Sequence, residues 1–192
     1  GQGGSLAGTH LLLPVDLPEW DITNRAQVFA TVREWQPDVV INCAGYTDVD
    51  RAEAEEKEAF RVNALGARDL SAAAFQVGAK ILQISTDYVF DGEAATPRRE
   101  YHPVNPINAY GRSKAWGERL VRETNPRHFI LRTAWLFGEG RNFIRKIIAL
   151  SREKEEIPVV ADQFGTPTSA ADLAKCILRL IQTDSYGTYH AT

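Results

Sequence analysis

The sequence of 192 residues contains no methionine and only two cysteines, Cys43 and Cys176. Two cysteines are too few for a disulfide scaffold or a four-cysteine zinc site, and we expect both to be reduced thiols in a cytoplasmic protein. The four histidines lack the spacing of metal ligands; they are His10, His102, His128 and His190. The absence of methionine, the glycine-rich residues 1–8 and the lack of a secretory signal pattern lead us to expect part of a longer protein.

Long apolar runs and a strong charge imbalance are also absent. The most apolar segments, such as residues 39–41 and 147–150, are far too short to span a bilayer. The formal net charge is -3, which predicts no basic surface for nucleic acid or an acidic membrane. With 44% hydrophobic and 24% charged residues, the composition is typical of a globular domain.

Short apolar runs alternate with longer segments of helical periodicity. Strands are predicted at residues 10–15, 38–44, 80–86, 129–133 and 157–160, with a further apparent strand just before the end of the chain. Helices are predicted at residues 25–36, 52–77 (as one helix or as two pieces around Gly66), 110–123, 142–152 and 169–183. Repeated βα units of this kind predict an α/β fold, a Rossmann-type parallel sheet with helices on both faces.

Two of these segments carry more detailed expectations. Residues 38–44 are continuously apolar and rich in β-branched side chains, which is typical of a strand buried on both faces. This interpretation places Cys43 in the core. The acidic run at residues 53–58 is predicted to be a solvated helix face.

Ligands of parallel α/β sheets bind beyond the carboxyl ends of the strands, so the polar residues that follow each apolar run are the first candidates for a site. These are Asp16 and residues 45–47, 85–88 and 133–135.

Within the helix predicted at residues 110–123, Tyr110 and Lys114 are four residues apart and share one face. A phenol has an unperturbed pKa of about 10, and a nearby ammonium is expected to lower it into the working range of an acid or base. By itself such a pair is more often a solvated surface pair. Thr86, at the end of a predicted strand, adds a hydroxyl that can bind the carbonyl oxygen that Tyr110 would protonate. The three residues together indicate a carbonyl-reducing site that uses a nicotinamide cofactor.

Several motifs make the sequence similar to a known family. They are residues 86–92 (TDYVFDG), 106–114 (PINAYGRSK), 42–50 (NCAGYTDVD) with Glu53, 131–138 (LRTAWLFG) and 162–168 (DQFGTPT). Over residues 16–189 the chain resembles the dTDP-4-dehydrorhamnose reductase family, which belongs to the extended short-chain dehydrogenase/reductases.

The resemblance implies a role for particular residues and a set of ligands. Catalysis would rest on Thr86, Tyr110 and Lys114, with substrate contacts from Thr86, Asp87, Tyr88 and Trp135. The cofactor would contact Asp16, Asp21, Ile22, Ala44, Gly45, Tyr46, Asn63, Tyr110 and Lys114. The cofactor would be NADPH or NADH, the substrate a dTDP-linked 4-keto-6-deoxy sugar, and the protein a homodimer. Family members can use Mg²⁺, for which Asp172 is a candidate ligand, although a helix cap is an alternative role for it.

The sequence departs from the family pattern at its start. The expected strand and Gly-x-x-Gly-x-x-Gly loop, which hold the pyrophosphate, are not recognisable, although residues 1–2 are a candidate remnant of that loop. We therefore divide the chain into residues 1–137, an NAD(P)-binding domain with an incomplete first βα unit, and residues 138–192, which contribute to that core and begin a substrate domain.

Two other functions remain open at this point. The regulatory β subunit of methionine adenosyltransferase resembles the same branch and would bind a nucleotide without catalysing a reaction. A different sugar-nucleotide enzyme of the extended family, such as an epimerase, would hold NAD without net consumption of NADH.

Overall fold

A computed structural model describes residues 11–140 and 142–192. Its helices are α1 (Arg25–Trp35), α2 (Val49–Ala54), α3 (Glu56–Phe60), α4 (Ala67–Gln76), α5 (Ala109–Thr124), α6 (Phe143–Leu150) and α7 (Ala170–Leu180). A π-helical segment, Arg61–Gly66, joins α3 to α4, and a 3₁₀ turn, Asp87–Val89, follows the second strand. The strands are β1 (Val39–Asn42), β2 (Lys80–Thr86), β3 (His128–Thr133), β4 (Leu136–Phe137), β5 (Thr168–Ser169) and β6 (Gly187–His190).

The main sheet confirms the predicted α/β class. Within the described residues it is fully parallel, with the strand order β1-β2-β3-β6. Strands β4 and β5 form a separate parallel pair. Because all strands of the main sheet run the same way, their carboxyl ends lie along one edge, and this edge carries the candidate site.

Helices cover both faces of this sheet. On one face, Ile81 of β2 packs with apolar residues of α1, α4 and α5, including Val28, Leu70 and Val121. On the other face, the neighbouring Leu82 packs with Phe129 and Leu131 of β3 and with Leu173 and Ile177 of α7. Successive strand residues point to opposite faces, so one apolar run supplies two cores.

Capping side chains set the starts of the helices close to the predicted positions. Asn24, Asn108, Asn142 and Ser169 each accept a hydrogen bond from the backbone of the first turn that follows. Helix α1 ends at Trp35, and the capping residue Gln36 adopts a left-handed conformation with φ of 48° before Pro37.

Two predicted strands are absent from the described residues. Residues 11–15 form no strand, and Leu11 and Leu12 are exposed; His10, the first residue of that prediction, lies outside the described part of the chain, as do residues 1–2. Residues 157–160 form no strand either, and Val159 and Val160 are exposed. Apolar side chains alone do not make a strand when no partner strand pairs with the backbone, and Pro158 lacks an N–H for such pairing.

The prediction that residues 38–44 are buried on both faces was wrong. Strand β1 is shorter and lies at an edge of the described sheet, and Ile41 is 37% exposed. Cys43 follows the strand and is exposed, so it is not a core residue. The difference arises because described residues pair with only one side of β1.

The segment predicted as one helix or two over residues 52–77 is divided differently. The main break is at Glu55, and Gly66 lies inside continuous helical backbone at the end of the π-helical segment. None of the helices within residues 11–140 and 142–192 has the length and apolarity needed to cross a membrane.

Candidate active site

Thr86, Tyr110 and Lys114 come together where β2 ends and α5 begins. Thr86 is the last residue of β2, and Tyr110 is the second residue of α5. All three are buried, with exposures of 6%, 9% and 6%. The structure therefore brings together the three residues of the predicted site, and their catalytic roles stay a prediction.

The phenol of Tyr110 packs against a second aromatic ring. The rings of Tyr110 and Tyr88 meet edge to face, with 5.6 Å between their centroids. Burial raises the pKa of Tyr110, and the nearby hydroxyl of Thr86 offsets part of this rise. The phenol therefore keeps its proton at neutral pH, which is the state that a general acid needs.

Lys114 does not act on Tyr110 in the way predicted from the sequence. Its Nζ donates a 2.7 Å hydrogen bond to the backbone carbonyl of Ile84. Burial lowers the pKa of Lys114 from 10.5 to about 8, against the opposing charge of Glu118. The expected lowering of the phenol pKa by the ammonium was wrong for this structure, because burial raises the pKa of Tyr110.

The hydroxyl of Thr86 is held by its own turn. It donates to Oδ1 of Asp87 at 3.0 Å and accepts a 3.2 Å hydrogen bond from the backbone N–H of Tyr88. Burial raises the pKa of both the Asp87 carboxyl and the Tyr88 phenol. The 3₁₀ turn thus places the three residues expected at the substrate, Thr86, Asp87 and Tyr88, side by side.

Asn63, in the π-helical segment, connects the segment predicted to lie under the cofactor with α5. Its Oδ1 accepts from the N–H of Tyr46 at 2.9 Å, and its Nδ2 donates to the carbonyl of Tyr46 and to Oγ of Ser113. Ser113 lies beside Lys114 on α5. A π-helical turn re-aims a side chain relative to an α-helix, and here it directs an amide to three partners.

Gly45 lies next to Lys114. A Cβ at this position would lie 3.3 Å from Oδ1 of Asn63 and 3.8 Å from Nζ of Lys114. The neighbouring Ala44 is exposed, and its N–H donates to Oδ1 of Asn42 at 3.1 Å. The backbone at Gly45 therefore lies beside Lys114, and residues 1–2, the candidate remnant of the pyrophosphate loop, lie outside the described residues.

Helix α5 approaches its neighbours closely through two glycines. A Cβ on Gly111 would overlap the carbonyl oxygen of Tyr88, and a Cβ on Gly117 would overlap the carbonyl oxygen of Asn63. These glycines therefore allow the helix that carries Tyr110 and Lys114 to pack directly on the backbone of the 3₁₀ turn and the π-helical segment.

Trp135, the remaining predicted substrate residue, lies just beyond β3 and is 45% exposed. It adopts a left-handed backbone conformation with φ of 43°, which is uncommon for a bulky residue. Its indole ring covers Gly165, where a Cβ would lie 2.8 Å from the ring. The carbonyl of Trp135 accepts from the N–H of Thr168 at 3.2 Å, so β5 fixes its position.

The residues predicted to contact the adenosine make only local contacts or pack in the core. Asp16 is exposed and follows no strand in the described chain; its carboxylate accepts from the N–H of Leu17. Asp21 accepts from the backbone and the hydroxyl of Thr23, which lower the pKa of its carboxyl. The side chain of Ile22 is buried and packs in the core against Gly66.

The structure does not support Asp172 as a metal ligand. Its carboxylate is exposed in the first turn of α7 and pairs with Lys175 at 2.8 Å. No group of three His, Cys, Asp or Glu side chains within the described residues is arranged to hold a metal ion. A single exposed carboxylate that pairs with a lysine does not fit a Mg²⁺ site.

Sequence reasoning missed two acidic residues that support the site. Glu53 accepts a 2.6 Å hydrogen bond from the N–H of Ala109, the first residue of α5. Glu118 is fully buried against Arg132. Glu53 and Glu56 are exposed, in agreement with the solvated face predicted for residues 53–58, and Glu56 also pairs with Arg112. Glu55 is half-buried and binds the hydroxyl of Tyr46. The sequence signal for the Glu118–Arg132 pair was the position of Arg132 inside an otherwise apolar strand.

Comparison with known proteins identifies the family of this chain. The family model described as the RmlD substrate binding domain matches residues 5–192. A dTDP-4-dehydrorhamnose reductase of Aggregatibacter actinomycetemcomitans is 41% identical, covering 100% of this chain and 71% of that protein. The chain belongs to the dTDP-4-dehydrorhamnose reductase family.

Solved structures of this reductase family share the fold. The dTDP-4-dehydrorhamnose reductase of Clostridium acetobutylicum superposes with a TM-score of 0.92 at 49% identity, covering 94% of this chain and 64% of that one. The reductase of Bacillus anthracis, solved in complex with NADP, gives a TM-score of 0.88 at 50% identity, covering 90% and 62%. The chain thus spans less than two thirds of these two relatives.

Proposed function

We propose that the protein is an NAD(P)H-dependent reductase that converts the C4 ketone of dTDP-4-dehydro-6-deoxy-L-mannose to the alcohol of dTDP-L-rhamnose. The observation that carries the proposal is the meeting of Thr86, Tyr110 and Lys114 at the carboxyl edge of the sheet. Family membership supports the choice of substrate class.

The residues divide the chemistry between them. The Thr86 hydroxyl and the Tyr110 phenol both donate to the ketone oxygen, which stabilises the negative charge that develops there. Reduced nicotinamide, when bound, supplies the hydride to C4. Tyr110 then gives its proton to the oxygen. Lys114 is also placed, beside Gly45, to hold the nicotinamide ribose.

The same proposal assigns the other cofactor and substrate contacts and the domains. Ala44, Gly45, Tyr46 and Asn63 would line the cofactor, while Asp87, Tyr88 and Trp135 would contact the sugar nucleotide. Residues 1–137 would belong to the dinucleotide-binding domain, and residues 138–192 would add α7 and β6 to it and begin the substrate domain. Both cysteines are free thiols, which supports a cytoplasmic location.

The test is oxidation of NADPH and NADH by the full-length protein with the 4-keto sugar nucleotide, followed by absorbance, with the product identified chromatographically. We expect net consumption of the reduced cofactor and loss of about 10²–10⁴-fold in kcat for Tyr110→Phe. Tyr101→Phe, at an exposed tyrosine, is the matched control. Substrate conversion without net cofactor consumption would indicate an epimerase, and no turnover combined with a stable complex with a methionine adenosyltransferase would indicate a regulatory subunit.

A further inference from the structure

A fully buried carboxylate lies one helical turn beyond the catalytic lysine. Glu118 follows Lys114 by four residues on α5, and its side chain has 0% exposure. Residues at this spacing are neighbours on one helix face. A carboxylate removed from water is costly unless other groups pair with it, so its retention here calls for partners.

Three groups hold this carboxylate in one position. Arg132 of β3 binds both oxygens, from Nε at 2.8 Å and from Nη2 at 2.7 Å. The hydroxyl of Ser85 donates to Oε1 at 2.6 Å, and Arg122 lies 3.4 Å from Oε2. A bidentate guanidinium fixes the plane of the carboxylate as well as its charge.

Other groups hold the part of the Arg132 guanidinium that does not bind Glu118. Its Nη1 donates to the backbone carbonyl of Glu100 at 3.3 Å and lies 3.4 Å from Nε2 of His190, and its guanidinium covers the ring of Phe90 at 5.0 Å. The pair therefore joins α5, β2, β3 and the end of β6 near the catalytic edge of the sheet.

We propose that Glu118 is a positioning residue for Lys114, which keeps a fixed negative charge one turn from the ammonium and so maintains the charged, correctly placed lysine during reduction. The proposal rests on the proposed function. The ionisable groups whose charges act on Lys114 are Glu118 and the thiol of Cys43. Of these, Glu118 is the one held in place by side chains of β2 and β3, whereas Cys43 is exposed beyond β1.

The test compares Glu118→Gln with the charge-balanced double variant Glu118→Gln/Arg132→Gln, so that an unpaired buried guanidinium does not decide the result. Glu123→Gln, which removes an exposed ion pair with Arg119 on the same helix, is the matched control. In the full-length protein, NMR of isotope-labelled lysine side chains, assigned with Lys114→Met, gives the pKa of Lys114 directly. The pH profile of kcat/KM is measured in parallel.

We expect the pKa of Lys114 to fall by about one unit in Glu118→Gln and to stay unchanged in the control. In the double variant the fall should be smaller, because the positive charge of Arg132 is lost together with the carboxylate. The alkaline limb of the profile should move to lower pH by a similar amount, whereas a loss of stability alone would lower activity equally at every pH. An unchanged pKa of Lys114 in Glu118→Gln overturns the proposal. If the wild type shows no reductase activity, the proposed function fails, while the NMR titration still decides whether Glu118 acts on Lys114.

Discussion

The ammonium of Lys114 donates its hydrogen bond to the carbonyl of Ile84 and not to the phenol of Tyr110. Ile84 lies two residues before Thr86 on β2, so the lysine ties α5 to the strand that ends in the catalytic threonine. The bond keeps the amine beside Gly45, where the cofactor is proposed to bind. Lys114 thus orders the site before any ligand arrives.

Replacing Lys114 by Met should raise stability while abolishing activity. Burial lowers the pKa of Lys114 to about 8 in the folded protein, against 10.5 for the free side chain, so folding disfavours the charged form. We expect the variant to be more stable by up to about 3 kcal/mol at pH 7, less the lost hydrogen bond to Ile84.

This difference should depend on pH. Between about pH 8 and 10.5 the unfolded chain binds more protons at Lys114 than the folded chain, so the stability of the wild type rises with pH. The gap between Lys114→Met and the wild type should therefore be constant below pH 8 and narrow above it. Urea unfolding across this range measures the effect, and a gap that widens above pH 8 would contradict the assignment.

Glu53→Ala should weaken the start of the catalytic helix. The carboxylate of Glu53 accepts from the N–H of Ala109, directly before Tyr110. Loss of a cap costs about 0.5–2 kcal/mol, and we expect kcat to fall more than KM rises because Tyr110 loses its fixed position. Glu56→Ala, which removes an exposed pair with Arg112, is the control and should cost less than about 1 kcal/mol. Equal effects in thermal unfolding and kinetics would show that Glu53 has no special role.

Gly111→Ala should destabilise the protein, against the usual trend in helices. An alanine normally stabilises a helix interior by about 1 kcal/mol relative to glycine. Here the added methyl group would overlap the carbonyl of Tyr88 and push α5 away from the 3₁₀ turn. Thermal unfolding and kcat should both fall, and a stabilised, fully active variant would disprove the close packing.

Gly165→Ala should act on the sugar nucleotide and leave the cofactor unaffected. Its methyl group would lie 2.8 Å from the indole of Trp135 and displace the ring. We expect KM for the sugar nucleotide to rise about tenfold, a change of about 1.4 kcal/mol, with KM for NADPH unchanged. Thr166→Ala, at the exposed neighbouring residue, is the control. An equal rise in the KM values for the sugar nucleotide and for NADPH would contradict the placement of Trp135 at the substrate.

The sequence was most informative where local chemistry is sufficient. The strand at 80–86 and the helix that begins at Ala109 were predicted closely, because an apolar run of strand length and an asparagine cap are local signals. The strands predicted at 10–15 and 157–160 failed because a strand also needs a partner for its backbone, which no local pattern specifies.

The residue types at the site, a threonine, a tyrosine and a lysine four residues on, were determined by the sequence alone, because helical spacing puts the last two on one face. Their protonation was decided only by the tertiary structure, because burial raises the pKa of Tyr110 and lowers that of Lys114. The same holds for the acidic side chains: Glu53 and Glu118 meet partners 56 and 14 residues away, and only the folded chain brings those partners within hydrogen-bonding distance.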